Sequence, residues 1–212
     1  MLDKNKKCDG GLMKNLIILA GYPATGKTCI INGLMEHNKK LEYISIDEIE
    51  EFFYDNLGFK NKKEKNKIYN LSFEFFYMKL KSMMNKNYDI VIDYPFSYLQ
   101  YPILKELSFK YDYKCITIRL SGDIKEIYKR RVKRDLDESR NPAHLVNSYD
   151  KNIKMSLEER KDNLISFEEF IKHCKLREYD KFKLGKLLEI DVTKKYADVD
   201  SINEFLDLEM RT

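Results

Sequence analysis

The sequence predicts an α/β fold in which helices flank a five-stranded, mainly parallel sheet. Five short apolar stretches alternate with segments whose apolar residues recur at helical spacing. Such alternation is typical of a parallel sheet that is covered by helices on both faces. The predicted strands are residues 16–20, 41–46, 88–93, 113–120 and 187–192.

Length and composition favour one ordinary globular domain. The chain has 212 residues, 43% of them hydrophobic, and its 15 Tyr and 12 Phe argue against disorder. No apolar run approaches the ~18 residues of a membrane span, and none resembles a signal peptide. The 39 basic and 35 acidic residues give a net charge of +4, which is short of the basic excess of a dedicated nucleic-acid binder. The cysteines lie far apart, which predicts reduced thiols and a cytoplasmic location: Cys8, Cys29, Cys115 and Cys174.

The helices are predicted from apolar spacing and from capping signals. Asp47 and Glu50 form a predicted capping box at the start of the second helix, and Ser156 and Glu159 form another. Residues 61–67, rich in Lys and Asn, are interpreted as a solvated loop or a helix end. The predicted helices cover residues 28–38, 48–53, 71–84, 123–134 and 156–174, with a last helix opening at residue 201.

Two segments stand outside the regular alternation. Residues 1–13 are polar and without periodicity, so we expect a flexible leader followed by a single domain over residues 14–212. Residues 141–183 are too long for a simple connection. Together with the basic helix before them they predict a helical lid, or substrate-covering insertion, at about residues 129–183.

A phosphate-binding loop follows the first predicted strand. Residues 21–28, GYPATGKT, match G-x-x-x-x-G-K-[ST] in full. The two glycines would let consecutive N–H groups point at phosphate oxygens, Lys27 would bind the β- and γ-phosphates, and the Thr28 hydroxyl could ligate Mg²⁺. An amphipathic helix follows, as such a loop requires. The predicted nucleotide-binding residues are Gly21, Tyr22, Pro23, Ala24, Thr25, Gly26, Lys27, Thr28 and Cys29.

Two carboxylates follow predicted strands, at the sheet edge where ligands bind in parallel α/β folds. Asp47 ends the second strand and could act as a general base, hold Mg²⁺ through water, or serve only as a helix cap. Asp93 ends the third strand, as a Mg²⁺-binding carboxylate of the Walker B type does, or it could simply start a turn before Pro95. Tyr94 stands where a hydrolytic ATPase usually carries Glu, which favours transfer to an acceptor other than water.

The predicted lid begins with a basic run, residues 129–134, and Arg140 lies beyond it. Arg131 and Arg134 are three residues apart on one helix face, so both could reach one anion. An arginine delivered by a lid would offset charge on a transferred phosphoryl group, although most charge runs are solvated helix faces.

Three further residues are weaker candidates. His144 could touch substrate, although a single loop histidine is more often incidental. Ser97 and Tyr98 lie just beyond the third strand and could line an acceptor pocket. No Cys–His pairing and no metal-ligand spacing occurs in the sequence.

These motifs resemble the small P-loop kinases, which are P-loop NTPases with a helical lid. The group includes polynucleotide 5′-hydroxyl kinases, zeta-type toxins, chloramphenicol phosphotransferase and AAA-domain ATP-binding proteins. The resemblance covers roughly residues 14–140 and the last strand and helix. It implies that residues 21–28 hold ATP and Mg²⁺, that Asp47 is the general base, and that Arg134 is the lid arginine. It places Arg131 near the adenine or the phosphates.

One position departs from that group. Several such kinases carry an arginine shortly after the aspartate of the second strand, whereas Glu48, Glu50 and Glu51 stand here. Three acids beside the acceptor would repel a phosphorylated polynucleotide end.

The sequence therefore predicts a kinase that uses ATP, or GTP, with Mg²⁺ to phosphorylate a hydroxyl of a small molecule. Asp47 would deprotonate the acceptor, Thr28 and Asp93 would organise Mg²⁺, and Lys27 and Arg134 would neutralise the γ-phosphoryl group. A 5′-hydroxyl polynucleotide kinase and a non-catalytic nucleotide-binding regulator are the alternatives. No membrane association is predicted, and the sequence specifies neither the acceptor nor the oligomeric state.

Overall fold

The computed structural model describes residues 13–210, which contain five strands and eight α-helices. The predicted leader, apart from Met13, and Cys8 lie outside the described residues. The strands are β1 (Lys14–Gly21), β2 (Leu41–Ser45), β3 (Asp89–Asp93), β4 (Tyr113–Ser121) and β5 (Lys186–Asp191). The helices are α1 (Lys27–His37), α2 (Ile46–Leu57), α3 (Lys62–Asn85), α4 (Tyr101–Tyr111), α5 (Ile124–Leu136), α6 (Leu157–Asp162), α7 (Phe167–Arg177) and α8 (Val199–Glu209). A short 3-10 helix, Pro142–His144, lies between α5 and α6.

The five strands form one parallel sheet in the order β2-β3-β1-β4-β5, which confirms the predicted α/β fold class. Central β1 is fully buried from Leu16 to Ala20, as expected for a strand that is covered on both faces. After β3 the chain crosses β1 to place β4 on its other side. The carboxyl end of β1 therefore lies at the point where the strand order reverses, which is where ligands bind in such sheets.

Alternate residues of β1 face two separate cores, because successive side chains of a strand point to opposite faces. Leu16 and Ile18 pack into a core with α3 and α4, which contribute Phe76 and Leu104. Ile17 and Leu19 pack into the opposite core with residues of α1 and α8, including Ile30, Leu34, Ile202 and Leu206.

The start of α2 differs from the prediction. The Ser45 hydroxyl, not Asp47, caps the helix by accepting a hydrogen bond from the Glu48 N–H at 3.4 Å. The predicted Asp47–Glu50 capping box is therefore wrong. Because Ser45 is also the last residue of β2, the helix follows the strand directly and Asp47 lies in its first turn.

Residues 61–67, interpreted as a solvated loop or a helix end, are the N-terminal end of α3, because the Asn61 side chain accepts from the Glu64 N–H at 3.0 Å and caps a 24-residue helix. Other helix predictions needed correction. The single helix predicted over residues 156–174 is two helices, α6 and α7, each with its own capping box. The last helix begins at Val199, capped by Asp198, rather than at Ser201. Helix α4 was not predicted.

The segment between α5 and β5 packs on the rest of the fold through a small core and a backbone bridge, among other contacts. Phe170 and Cys174 of α7 pack with Ile127 of α5 in a small core of their own. Phe59 and Tyr149 form an isolated antiparallel bridge, with N–H to carbonyl distances of 3.0 and 2.7 Å, and this bridge joins the segment to the α2–α3 turn. None of the helices in residues 13–210 is both long and apolar enough to cross a membrane.

Candidate active site

The loop between β1 and α1 has a shape that depends on two glycines. Gly21 and Gly26 have φ angles of 114° and 93°, a region that favours glycine. A Cβ at Gly21 would lie 2.1 Å from the Leu120 carbonyl oxygen, so no other residue fits there without backbone movement. Thr25 Oγ1 and Lys27 Nζ both donate to the Tyr22 carbonyl oxygen at 2.9 Å. The loop is therefore closed on itself by its own side chains.

One cavity of about 500 Å³, the phosphate-side cavity, brings together most of the predicted site. Its walls include loop residues 23–29, both predicted carboxylates and the predicted arginines: Asp47, Asp93, Arg131, Arg134 and Arg140. Two predicted loop residues do not line it. Gly21 is the last residue of β1 and pairs with Leu120 of β4, and Tyr22 packs on the core between α5 and α7.

Lys27 is a buried cation at the base of this cavity, with 8% of its surface exposed. Burial lowers its pKa to about 8, against the opposing charges of Asp93 and Asp47. A buried ammonium that has lost most of its hydration gains strongly from an anionic ligand. The Thr28 side chain is exposed beside it.

The pKa values of Asp47 and Asp93 are shifted in opposite directions because their neighbours differ. Burial raises the pKa of Asp93, as does the nearby charge of Asp47, and its Oδ1 accepts from the Tyr43 hydroxyl at 2.9 Å. Burial also acts to raise the pKa of Asp47, but the positive charges of His144, Arg140 and Arg134 outweigh it and lower the pKa overall. Asp47 is therefore the readily ionised carboxylate of the two, and 40% of its side chain is exposed.

Arg131 and Arg134 do reach one anion, and it is a residue of the same helix. Asp135, 2% exposed, accepts from Arg131 Nε at 3.1 Å and from Arg134 Nε and Nη2 at 3.1 and 2.9 Å. Arg134 Nη1 and both terminal nitrogens of Arg131 have no protein acceptor in residues 13–210. Asp135 therefore holds both guanidinium groups in place, and each still has N–H groups without a protein acceptor in the described residues.

Arg130, which was not singled out from the sequence, also lines the cavity. Its Nη2 donates to the Thr193 carbonyl oxygen at 3.0 Å, and its guanidinium carbon lies 5.2 Å from the centre of the Tyr196 ring. Tyr196 is 69% exposed and approaches the phosphate loop at Gly26.

The negative charges of the acids after Asp47 are largely offset by basic neighbours or removed by protonation. Glu51 Oε1 accepts from Arg140 Nη1 at 3.1 Å and lies 2.7 Å from His144 Nε2. Glu50 is 5% exposed, and burial together with the charge of Asp47 raises its pKa to about 8, so it is mostly neutral at pH 7. Only Glu48 of the three is exposed. His144, a weak candidate from sequence, thus lies inside the site.

The two sequence candidates for the acceptor pocket separate in the structure. Ser97 is buried and lines a second cavity that adjoins the first. Tyr98 lines neither cavity and is 53% exposed.

Sequence reasoning missed Asp135, Tyr43 and Tyr196 as parts of the site, and it placed Glu50 beside the acceptor without its burial. For Asp135 a signal was present, since it is an acid that directly follows a run of five cations in six residues. The others have no local signal, because their roles depend on contacts with distant segments.

The donor set suits a hard cation bound together with phosphate. Within the described residues, no three His, Cys, Asp or Glu side chains group as a metal site. Mg²⁺ usually takes only one or two protein ligands and completes its shell with water and phosphate oxygens. A hydroxyl from Thr28 and a carboxylate from Asp93, in the cavity that Lys27 lines, fit that requirement.

Comparison with protein-family models and with curated protein sequences gives no match. Solved structures do share the fold. A protein assigned as a kinase from Chloroflexus aurantiacus J-10-fl aligns with a TM-score of 0.69 at 20% identity, covering 94% of this chain and 97% of that one. A sugar kinase from Janibacter sp. HTCC2649 aligns with a TM-score of 0.54 at 12% identity, covering 93% and 95%. At these identities the likeness establishes the α/β fold.

Proposed function

We propose that the protein transfers the γ-phosphoryl group of Mg²⁺-bound ATP to a hydroxyl group of a small molecule. The observation that carries this proposal is that one cavity contains both the phosphate loop with Lys27 and the ionised carboxylate of Asp47. A phosphate-binding cation and an accessible base in one cavity are what phosphoryl transfer to an alcohol requires. Two solved structures of this fold are themselves described as kinases, which is consistent with the proposal.

The proposed reaction is a direct displacement at the γ-phosphorus. The acceptor oxygen forms a bond to this phosphorus as the bond to the β,γ-bridging oxygen breaks, and ADP leaves with that oxygen. The hydroxyl proton passes to a carboxylate oxygen of Asp47, which is free to accept it because its pKa lies below its ordinary value. Tyr94, where a water-activating glutamate would otherwise follow Asp93, is consistent with an alcohol as acceptor.

Three cations would offset the negative charge that spreads over the phosphoryl oxygens in the transition state. Lys27 lines the cavity, and so do Arg131 and Arg134 of α5, whose remaining N–H groups have no protein acceptor in residues 13–210. Because Asp135 fixes both guanidinium groups, little reorganisation is needed as the charge develops. Thr28 and Asp93 would hold Mg²⁺, which when bound neutralises charge on the β- and γ-phosphates.

The test compares three variants with the unaltered protein, using γ-labelled ATP and pools of small hydroxyl compounds or 5′-hydroxyl oligonucleotides. We expect Asp47→Asn to bind ATP normally and to lose transfer by about 10²–10⁴-fold, the usual contribution of a general base. Lys27→Ala should lose both ATP binding and transfer while staying folded. Glu48→Gln, the adjacent exposed carboxylate, is the matched control and should remain active.

Each outcome has a clear meaning. Transfer by Asp47→Asn at the unaltered rate would contradict the proposed base, and absence of transfer to any acceptor despite ATP binding would favour a nucleotide-binding regulator. Label on oligonucleotides alone would favour an end kinase. Competition by GTP in the same assay measures the nucleotide preference.

A further inference from the structure

A second cavity, the distal cavity, adjoins the phosphate-side cavity and is smaller, at about 190 Å³. Tyr94, Pro95, His173 and Tyr179 form walls of both cavities. Its remaining walls come from α3, from the residues before α4, and from the end of α7. The distal cavity thus begins at Tyr94, the residue that follows Asp93, and includes Ser97, where the sequence predicted an acceptor pocket.

The first donor in the distal cavity is the Gln100 amide. Gln100 is 6% exposed, and its Oε1 accepts from the Ser97 N–H at 3.1 Å and the Ser97 hydroxyl at 2.9 Å. Because a backbone N–H can only donate, the oxygen of the amide must face Ser97, and this determines where its nitrogen is. Gln100 Nε2 has no acceptor among residues 13–210. Because Gln100 lines the distal cavity, these unpartnered N–H groups are available to a ligand that accepts from them.

The second donor is Arg177, the last residue of α7. It is half-buried, and in the described part of the chain its guanidinium makes no ion pair and no hydrogen bond. The acids that follow it are engaged elsewhere: Glu178 pairs with Lys181 at 2.6 Å, and Asp180 interacts with Tyr22. No aspartate or glutamate lines the distal cavity. A cation on such a wall is left to attract an anion from outside the chain.

His173 does not take this role. Burial and the charges of Arg177 and Arg131 lower its pKa and so disfavour its protonated form, and its Nε2 lies 2.9 Å from the Tyr179 hydroxyl. Arg177 is therefore the permanent positive charge of the distal cavity.

We propose that the acceptor carries an oxyanion, a carboxylate or a phosphate, which Arg177 and Gln100 bind in the distal cavity while its hydroxyl meets Asp47. This rests on the proposed kinase function and specifies the substrate class of that site. The planar fork of an arginine pairs with two oxygens of a carboxylate or phosphate equally well. The volume of the distal cavity is below the roughly 300–1,000 Å³ of drug-sized ligand sites, so the group bound there must be compact.

The test offers acceptors that share a carbon skeleton and differ in one group. Glycerol, glycerate and glycerol phosphate form one such set, and a six-carbon sugar, its sugar acid and its sugar phosphate form another. With γ-labelled ATP we expect one anionic class to exceed its neutral partner at least about tenfold in kcat/KM. Whether the carboxylate or the phosphate member is labelled identifies the source of the oxyanion.

Variants of Arg177 separate acceptor binding from chemistry. Arg177→Met should raise the KM for the anionic acceptor about 10- to 100-fold, the usual loss for a hydrogen bond to a charged group, with kcat within about threefold. ATP binding should not change. Arg177→Lys keeps the charge and should recover part of the loss. Lys172→Met removes an exposed cation from the same helix, outside the distal cavity, and should have no effect.

Failure of this inference differs from failure of the kinase proposal. Preferred transfer to neutral acceptors, or an unchanged KM in a folded Arg177→Met, would overturn the inference and leave the kinase standing. If no acceptor is labelled, titration with glycerate and glycerol phosphate decides the matter. A rise in thermal unfolding midpoint that is lost in Arg177→Met supports the anion site, and equal behaviour of the two proteins refutes it.

Discussion

Glu50→Gln tests the charge balance beside the proposed base. Glu50 is almost fully buried, and burial and Asp47 raise its pKa to about 8, against the opposing charge of Lys65. In the unfolded chain its pKa is near 4.5. Glutamine keeps the shape and the oxygen that accepts from the Tyr54 hydroxyl, but it cannot ionise. The substitution therefore removes this titration, together with the carboxylate that lies 3.9 Å from His144 Nδ1.

The sign of the effect follows from proton binding. Between pH 4.5 and pH 8 the folded protein retains on Glu50 a proton that the unfolded chain has released, so stability falls as pH rises. This contribution is present in full below pH 4.5 and is lost as pH rises through about 8. Each pH unit in that window costs about 1.4 kcal/mol. From pH 5 to pH 7 the free energy of unfolding should fall by about 3 kcal/mol more in the unaltered protein than in Glu50→Gln.

Urea unfolding followed by circular dichroism at pH 5, 6, 7 and 8 measures this difference. Asp93 and Glu48 also have raised pKa values, but they titrate in both proteins and cancel. Glu74→Gln, on an exposed position of α3, is the control and should give a pH-independent difference. If the Glu50→Gln difference is also constant within about 0.5 kcal/mol from pH 5 to pH 7, Glu50 ionises normally and the reasoning is wrong.

Two further substitutions test how the site is held together. Asp135→Asn leaves Arg131 and Arg134 without their buried counter-ion. We expect the free energy of unfolding to fall by about 2–3 kcal/mol and kcat to fall tenfold or more. The loss of stability is smaller than the roughly 3–5 kcal/mol of a fully buried pair, because the two arginine side chains are 19% and 35% exposed. Thermal unfolding and kcat measure both effects, and an unchanged kcat would mean that Asp135 positions nothing catalytic. Arg140→Met removes a charge that lowers the pKa of Asp47, so the acid limb of the pH profile of kcat/KM should move to higher pH. An unmoved limb would contradict Asp47 as the base or Arg140 as its partner.

The parts of the fold that were predictable are those with a local signal. Central β1 is a continuous apolar run because it is buried on both faces, and all five strands were located within about two residues. Helix α4 was missed although Pro102 in its first turn is a helix-start signal, and its N-cap, Gln100, makes no side-chain capping bond. The helices α6 and α7 were merged because the second capping box, Ser166 with Glu169, lies inside a continuous apolar stripe.

The residues of the candidate site also divide into those with a local sequence signal and those without one. The phosphate loop is a local motif, and Asp47 and Asp93 follow from the rule that ligands bind at the carboxyl ends of parallel strands. The partners of these residues could not be predicted. His144 contacts Glu51 from 93 positions away, and Tyr43 contacts Asp93 from 50 positions away. Such pairs depend on the tertiary fold. The raised pKa of Glu50 also depends on it, because the shift arises from burial that the sequence does not reveal.

The charge of the proposed base depends on the segment after α5. Asp47, Glu51 and Asp55 are spaced four residues apart, so they form one stripe on α2, and like charges at that spacing destabilise a helix. Each carboxylate meets a residue from 140–149. Arg140 lies 3.6 Å from Asp47 and 3.1 Å from Glu51, while the Asn141 amide and the Tyr149 hydroxyl donate to Asp55 at 3.0 and 2.6 Å. The contacts that hold this segment on α2 therefore also help to keep Asp47 ionised, which links the docking of the segment to the readiness of the base.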